Sequence, residues 1–543
     1  MITKIITTLK SAKSLFMILL CINLFVVLYH FSYKQGFHSD EQWSYAHANS
    51  SIGAYLDKDI DSFYQITDSI RSRLFNQFID AEILHKYLTV SNDKSFTYTN
   101  IYKNLEVVEH PPLYYILLHT ISSFYPNTFN KWQAGTLNLT IFILIYIMLF
   151  KLSKLLLKDE RLALCVVALW GFSEIGIDTA IFLRMYVLQT LLSICLVYET
   201  LKILDKNSAT KKDLFLVFLY SFLGIFNQYN SIFFSFFVTL VSFCVFIKRK
   251  NYTLAFKFCF VMLLSFLMLF ALYPQAYNVL FGSLRGTQVL SSIKNNRDIM
   301  SMLWSTEIKL SRAINTYFSH FLVVGKINNS ILSFIFIVSI FSVIYFKVKI
   351  DNRIKWLISI VLLYFIYLTY MPYMHIFHNR YYMSIMPFIA LLSINLIWFI
   401  LKKTNLTSKY VIYIITIFVI INSIILKFAE NSPYSFIYNK QEYDALNKIK
   451  NNTVFIDKGD NFIWLHSMVY YLANAKSVFI TENICDEAPL SNIQKQKNPI
   501  VLTYSSYTRS NSNYSETECL KDIGLNKLYK ICPSQHCYNV WEK

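Results

Sequence analysis

Charge is scarce in this chain, and acidic charge scarcer than basic. Only 15% of the 543 residues are charged, with 33 Asp and Glu against 51 Lys and Arg. A soluble protein of this length needs far more, so a globule surrounded by water is excluded. Glycine (11) and proline (10) are also few. That excludes collagen-like and low-complexity classes. No internal repeat is visible, and no cysteine spacing fits a zinc module. Lys4, Lys10 and Lys13 precede an apolar run at 14–31, but no small-residue cleavage site follows. The run is therefore read as an uncleaved first span with its N-terminus inside, not a signal peptide.

Apolar surface is abundant instead: 55% of residues are hydrophobic and 17% aromatic. Repeated apolar runs long enough to cross about 30 Å of hydrocarbon predict a polytopic α-helical membrane protein. Spans are expected near 14–31, 132–150, 162–178, 182–201, 213–228, 231–247, 254–273, 331–347, 355–372, 381–401 and 409–428. The run 113–125 is too short to cross as a helix. The net charge of +18 sits in short loops, for example Lys151, Lys154, Lys158 and Arg161, or Lys347, Lys349, Arg353 and Lys355. With 113–125 dipping in without crossing, every such loop falls inside. The charge thus reports topology and no nucleic-acid partner. The count is about eleven transmembrane helices, with the C-terminus outside.

This places loops 32–131 and 274–330 and the tail from 430 outside. Loop 32–131 shows helix-like apolar spacing over 62–90, which predicts interfacial helices. The tail is more polar, with helical patterns at 440–450 and 462–475 and strand-like runs at 454–456, 477–480 and 500–502. It is expected to form a small extracytoplasmic α/β domain, 431–543, after a transmembrane catalytic domain, 1–430. Its four cysteines, Cys485, Cys519, Cys532 and Cys537, predict two disulfides of open connectivity. Cys21, Cys165, Cys195, Cys244 and Cys259 lie in spans and read as small apolar fillers.

Chemistry-bearing residues cluster at the outer face. Asp40 and Glu41 follow the first span, in His38-Ser39-Asp40-Glu41-Gln42-Trp43. Glu109 and His110 precede Pro111-Pro112-Leu113-Tyr114-Tyr115, where the prolines lock the entry to a short helix. Lys131 opens the second span, Arg184 lies in the fourth and Arg380 begins the tenth. Solvated acids and snorkelling cations would give the same residues one by one. Three cations beside a carboxylate pair at one face point to a site for an anionic headgroup.

The order of these motifs resembles the GT-C class of integral-membrane glycosyltransferases over about residues 14–430. It is closest to glycosyltransferase family 39, which holds the protein O-mannosyltransferases and lipid A aminoarabinose transferases. The residues that carry the resemblance are Asp40-Glu41, the segment from His110 to Tyr115, Lys131, Arg184-Met185-Tyr186, and Arg380-Tyr381-Tyr382 with Pro387. Two departures stand out. Lys131-Trp132-Gln133 replaces the family's Arg-Leu-Pro, and Asn227-Gln228-Tyr229 replaces Thr-His-Tyr.

The resemblance implies a polyprenyl-phosphate-linked sugar donor and transfer at the outer face of the cytoplasmic membrane; the Lys-, Asn- and Ile-rich usage suggests an AT-rich bacterial genome, and so a bacterial cell envelope. It implies inversion in a single displacement, with Asp40 as general base and Glu41 orienting the acceptor or supporting Asp40. Lys131, Arg184 and Arg380 would stabilise the donor phosphate. Glu109, His110, Tyr186, Tyr229 and Tyr381 would be supporting residues. The acceptor class, whether glycan, lipid or protein, stays open, and metal independence is expected. The rival readings are a transporter or flippase of lipid-linked sugars and an idle relative serving envelope assembly. Transporters usually show related halves and helices broken at the midplane, which this chain does not display.

Overall fold

The computed structural model describes residues 12–54, 75–106, 108, 110–282, 350–370, 379–403, 417, 421, 434–457, 462–505, 516–534 and 536–543. Apolar runs poor in glycine and proline form the long helices. These are α1 (Ala12–Ser32), α6 (Lys131–Leu157), α7 (Glu160–Gly171), α8 (Glu174–Ile181), α9 (Tyr186–Lys206), α10 (Lys211–Asn227), α11 (Asn230–Lys248), α12 (Tyr252–Leu272), α13 (Asn352–Tyr370) and α14 (Met386–Lys403). Shorter helices in the first external loop are α2 (Ser39–Asn49), α3 (Ala81–Leu88), α4 (Thr99–Glu106) and α5 (Leu113–Ser122). The chain divides into two compact units. One holds residues 1–29, 138–181 and 185–431; the other holds 30–137, 182–184 and 432–543.

The first unit is helical. Among the described residues, five helices are long and apolar enough to cross a membrane: α1, α6, α9, α11 and α12. The pair α7 and α8 makes a sixth if read as one span bent by 63°. At the bend, Ser173 Oγ donates to the Trp170 carbonyl (2.6 Å) and accepts from Gly176 N–H (3.1 Å). A side chain at Gly176 would strike the Trp170 carbonyl, so the bend needs glycine there. The expected eleven spans are therefore not all found. The run 331–347 and nearly all of 409–428 lie outside the described residues, and α10, at 17 residues, is short for a span. Helix ends are capped where the basic loops begin. Asp159 accepts from Arg161 N–H (2.7 Å), and Thr210 and Asp213 form a reciprocal capping box.

The second unit carries a six-stranded mixed sheet. Its strands are β1 (Phe78–Asp80), β2 (Thr453–Asp457), β3 (Ser477–Thr481), β4 (Ile500–Tyr504), β5 (Asn526–Ile531) and β6 (Tyr538–Glu542), in the order β1-β3-β2-β4-β6-β5. Strands β3, β2 and β4 are mutually parallel, and the others pair antiparallel. The strand-like runs at 454–456, 477–480 and 500–502 fall within these three. Near-continuous apolar sequence suits strands buried on both faces. Helices α15 (Lys440–Ile449), α16 (Phe462–Leu472), α17 (Glu487–Lys495) and α18 (Glu516–Asp522) accompany the sheet. Phe455, Phe479, Ile493, Val501, Leu520 and Trp541 make one core, closed by the Cys485–Cys519 disulfide; the second disulfide is Cys532–Cys537.

The sheet corrects one expectation. Residues 78–80 are not helical; they pair with 477–479 as an edge strand, with Ile79 buried. Their apolar spacing also fits a half-buried strand, so period alone did not decide. Helix α3 does form at 81–88, and 55–74 lie outside the described residues.

Candidate active site

The site is built where α1 ends. The last carbonyls of a helix lack internal partners. Lys131 Nζ donates to the carbonyls of Phe31 (3.1 Å) and Ser32 (2.9 Å) in the last turn and of Lys34 (2.6 Å) just beyond it. A cation at a helix C-terminus also meets the favourable end of its dipole. Lys34 turns inward and pairs with Glu41 Oε2 at 2.8 Å, both side chains fully buried, and also donates to the Tyr434 carbonyl.

Helix α2 then begins at His38. Its Nδ1 accepts from Asp40 N–H (3.1 Å), while Glu41 Oε2 accepts from His38 N–H (2.8 Å). This is a capping box with a histidine in the usual Ser or Thr place. Glu41 Oε1 accepts from Leu183 N–H at 2.8 Å. Both carboxylate oxygens of Glu41 thus have partners. Burial pushes its carboxyl above the ordinary value, while Lys34 and the two N–H groups pull it back. Asp40 differs: its side chain is 12% exposed, and its Oδ2 lies 3.8 Å from His38 Nδ1. Of the acidic pair, Asp40 has the less enclosed side chain.

Arg184 lies in the turn between α8 and α9 and is buried. Its Nη1 donates to the Asp40 carbonyl (3.1 Å), Ser44 Oγ (3.1 Å) and Tyr115 Oη (3.4 Å). Its Nη2 lies 3.2 Å from His110 Nε2, which must accept from a guanidinium. His110 also stacks on Tyr115, ring centroids 6.4 Å apart, and the Tyr115 ring lies 5.7 Å from His47. Burial, with the Arg184 charge, holds His47 well below the ordinary histidine range. Asp40, Glu41, His110, Lys131 and Arg184 are thus gathered in one unit. Sequence reading passed over Lys34, Ser44 and His47, and took Tyr115 only as part of the segment from His110 to Tyr115. The spacing Asp40, Ser44, His47 (i, i+4, i+7) marks one helix face and was the available signal.

The other unit holds the remaining candidates. Arg380 and Tyr381 lie on a short turn of helix, Asn379–Tyr382, with the guanidinium 5.7 Å over the Tyr381 ring. The Tyr381 ring is 6.1 Å from Tyr186. Tyr229 precedes α11, and Asn227 donates to the Met185 carbonyl (3.1 Å) and Gln189 Oε1 (3.3 Å). Asn227 therefore fixes the start of α9. Glu109 lies outside the described residues.

Among the described residues, no three His, Cys, Asp or Glu side chains converge as a metal-holding group. The expectation of metal independence nevertheless overlooks the acidic run Asp57-Lys58-Asp59-Ile60-Asp61, which lies outside the described residues.

No family model matches the chain, and no curated protein does. Several solved structures resemble it, among them the following two. One is the Archaeoglobus fulgidus oligosaccharyltransferase in complex with Zn and sulfate, at 12% identity and TM-score 0.49, over 89% of this chain and 67% of that one. The other is ArnT from Cupriavidus metallidurans bound to undecaprenyl phosphate, at 11% identity and TM-score 0.38, over 98% of each chain.

Proposed function

We propose that this protein is a membrane glycosyltransferase that moves a sugar from a polyprenyl-phosphate-linked donor to an acceptor hydroxyl at the outer face of the cytoplasmic membrane. The observation that carries the reading is the Arg184 guanidinium tied to the backbone of Asp40 and to Ser44, Tyr115 and His110. It sets a cation against the backbone of the residue that carries the less enclosed carboxylate of the pair.

An acceptor hydroxyl is a poor nucleophile. Asp40 takes its proton as the oxygen attacks the anomeric carbon, and the lipid phosphate leaves with the bonding pair. Attack from the face opposite the phosphate inverts the anomeric configuration. A phosphate is already a good leaving group and needs charge stabilisation more than a proton. Arg184 supplies that charge, and a phosphate role for Arg380 rests on the sequence resemblance alone. His110 accepts from Arg184 through Nε2, so its Nδ1 carries a proton and can donate to a phosphate oxygen. Glu41 does not touch the acceptor in this scheme. It ties the Asp40 helix to the Arg184 turn through Leu183 N–H. Lys131, expected as a phosphate contact, instead steadies the chain leaving α1, because its ammonium faces three carbonyls.

The test uses purified protein in lipid, radiolabelled sugars esterified to undecaprenyl phosphate, and an envelope extract as acceptor. Asp40→Asn is expected to keep donor binding and lose at least about 100-fold in turnover, the low end of general-base help. Transfer at the wild-type rate would remove Asp40 from the chemistry. Donor movement across the bilayer without transfer would favour the flippase reading.

A further inference from the structure

The helix that carries Asp40 is capped by a side chain that can change its charge. A backbone amide can only donate, so the His38 Nδ1 that accepts from Asp40 N–H at 3.1 Å carries no proton. The cap therefore exists only while the His38 ring is neutral, with its proton on Nε2. Ser, Thr and Asn, the usual caps, have no such dependence. The same Nδ1 stands 3.8 Å from Asp40 Oδ2. Three rings enclose the imidazole: Phe182 at 5.5 Å, Tyr434 at 6.2 Å and Phe436 at 6.3 Å between centroids. Phe182 and Tyr434 are themselves stacked, 4.2 Å apart. Among the described residues, the other charged groups around this ring have partners. Glu41 is held by Lys34, Leu183 N–H and His38 N–H. Lys34 Nζ also lies 5.5 Å over the Phe436 ring. Arg184 donates to the Asp40 carbonyl from the turn before α9.

We propose that His38 is a positioning residue for Asp40, and that only its neutral form leaves the Asp40 carboxylate available to the acceptor hydroxyl. The inference rests on the glycosyltransferase reading above. With Nδ1 bare, the ring holds the first turn of α2 through the Asp40 amide and offers that carboxylate no proton from the same nitrogen. When solvent protonates the ring, Nδ1–H and Asp40 N–H become two donors facing each other, and the cap is lost. The Asp40 carboxylate oxygen, 3.8 Å from Nδ1, is the acceptor within reach of a small rotation. An imidazolium paired there occupies the oxygen that would take the hydroxyl proton. The aromatic rings around His38 keep it beside Asp40 in both states. A base limited only by its own carboxylate loses rate near about pH 4, whereas one gated by a histidine loses it between about pH 5 and 8.

The experiment records turnover in lipid from about pH 8 down to about pH 5, the span over which histidine charge changes. Wild type, His38→Asn and His38→Ala are compared, each profile normalised to its own rate at the alkaline end. Asn keeps an oxygen that accepts from the Asp40 amide and has no charge to gain. Wild type is expected to lose roughly tenfold or more toward the acid end, as a single titrating histidine requires. His38→Asn is expected to give a level profile. His38→Ala, without a cap, is expected to be level too and slower than His38→Asn throughout. Donor-lipid binding at each pH reports that the protein is folded. The same acid limb in His38→Asn as in wild type, or no limb in wild type, would overturn the inference. So would donor binding lost together with rate, which would assign the limb to unfolding, or His38→Ala as fast as His38→Asn. Each of these leaves the enzyme reading in place while Asp40→Asn is inactive. Full transfer by Asp40→Asn, or no transfer by wild type from any donor, would overturn both.

Discussion

At the scale of single residues, Asp40 and Glu41 are neighbours in sequence and opposites in environment. Glu41 is sealed in with Lys34, and removing one member of a buried ion pair leaves the other uncompensated. Glu41→Gln should therefore destabilise the protein by roughly 3–5 kcal/mol. Lys34→Met together with Glu41→Gln should recover much of that. The midpoint of thermal unfolding in detergent reads both, and equal losses in the single and double variants would contradict a charge-pair origin. A second residue sets a pH dependence. His466 is fully buried on α16, between Trp43 and Tyr87, and burial pushes its imidazole down to about 3 from an ordinary 6.5. Between those values the unfolded chain holds a proton that the folded chain does not. Stability is thus complete above pH 6.5 and falls as pH drops below it, by up to about 1.4 kcal/mol per unit for this group. His466→Gln should flatten the fall in unfolding midpoint between pH 7 and 5. An unchanged slope would show that other groups govern it.

Among the elements, α2 organises the site. It packs against α4, α5 and α16. Gln42 fastens it to α16 at both ends of its amide, donating to the Ser467 carbonyl (2.9 Å) and accepting from Tyr470 N–H (3.0 Å). Strand β1 adds a second tie by extending the sheet at β3, and Asn76 N–H continues it to the Ile480 carbonyl (2.8 Å). An unpaired β3 edge would expose a row of backbone donors and acceptors. Ile79→Asp, which puts a charge at the buried position of β1, should free that edge. The expected outcome is faster proteolysis near 477–481 at unchanged membrane insertion. Cleavage at the wild-type rate would mean that β1 contributes little.

For the whole molecule the governing expectation is sidedness. The proposed reaction needs Asp40, Arg184 and the sheet-bearing unit on the outer side. In a variant lacking Cys21 and Cys244, the free cysteines exposed to the surroundings, a cysteine introduced at Thr128 should react with an impermeant thiol reagent from outside. One at Asn405 should not. The reverse pattern would move the site to the cytoplasm and remove the lipid-linked donor from consideration.

Much of this was legible in the residues themselves. Lipid tolerates only hydrogen-bonded backbone, so long apolar runs could only be helices, and the basic loops between them set the orientation to be expected. Asp40, His110 and Arg184 were readable as candidates because charge beside an apolar span is costly and rarely incidental. What the sequence could not supply was partnership. Whether Lys131 faces a phosphate or the end of α1, whether Glu41 meets a substrate or Lys34, and which cysteines pair are decided by contacts between side chains that lie from 5 to 100 residues apart and that only folding brings together. The strand at 78–80 is the same case. Its apolar spacing fits a helix or a strand, and only β3, some 400 residues later, offers the backbone groups that make it a strand. Local sequence sets what a segment is able to become; the partner brought to it by the fold selects among those forms.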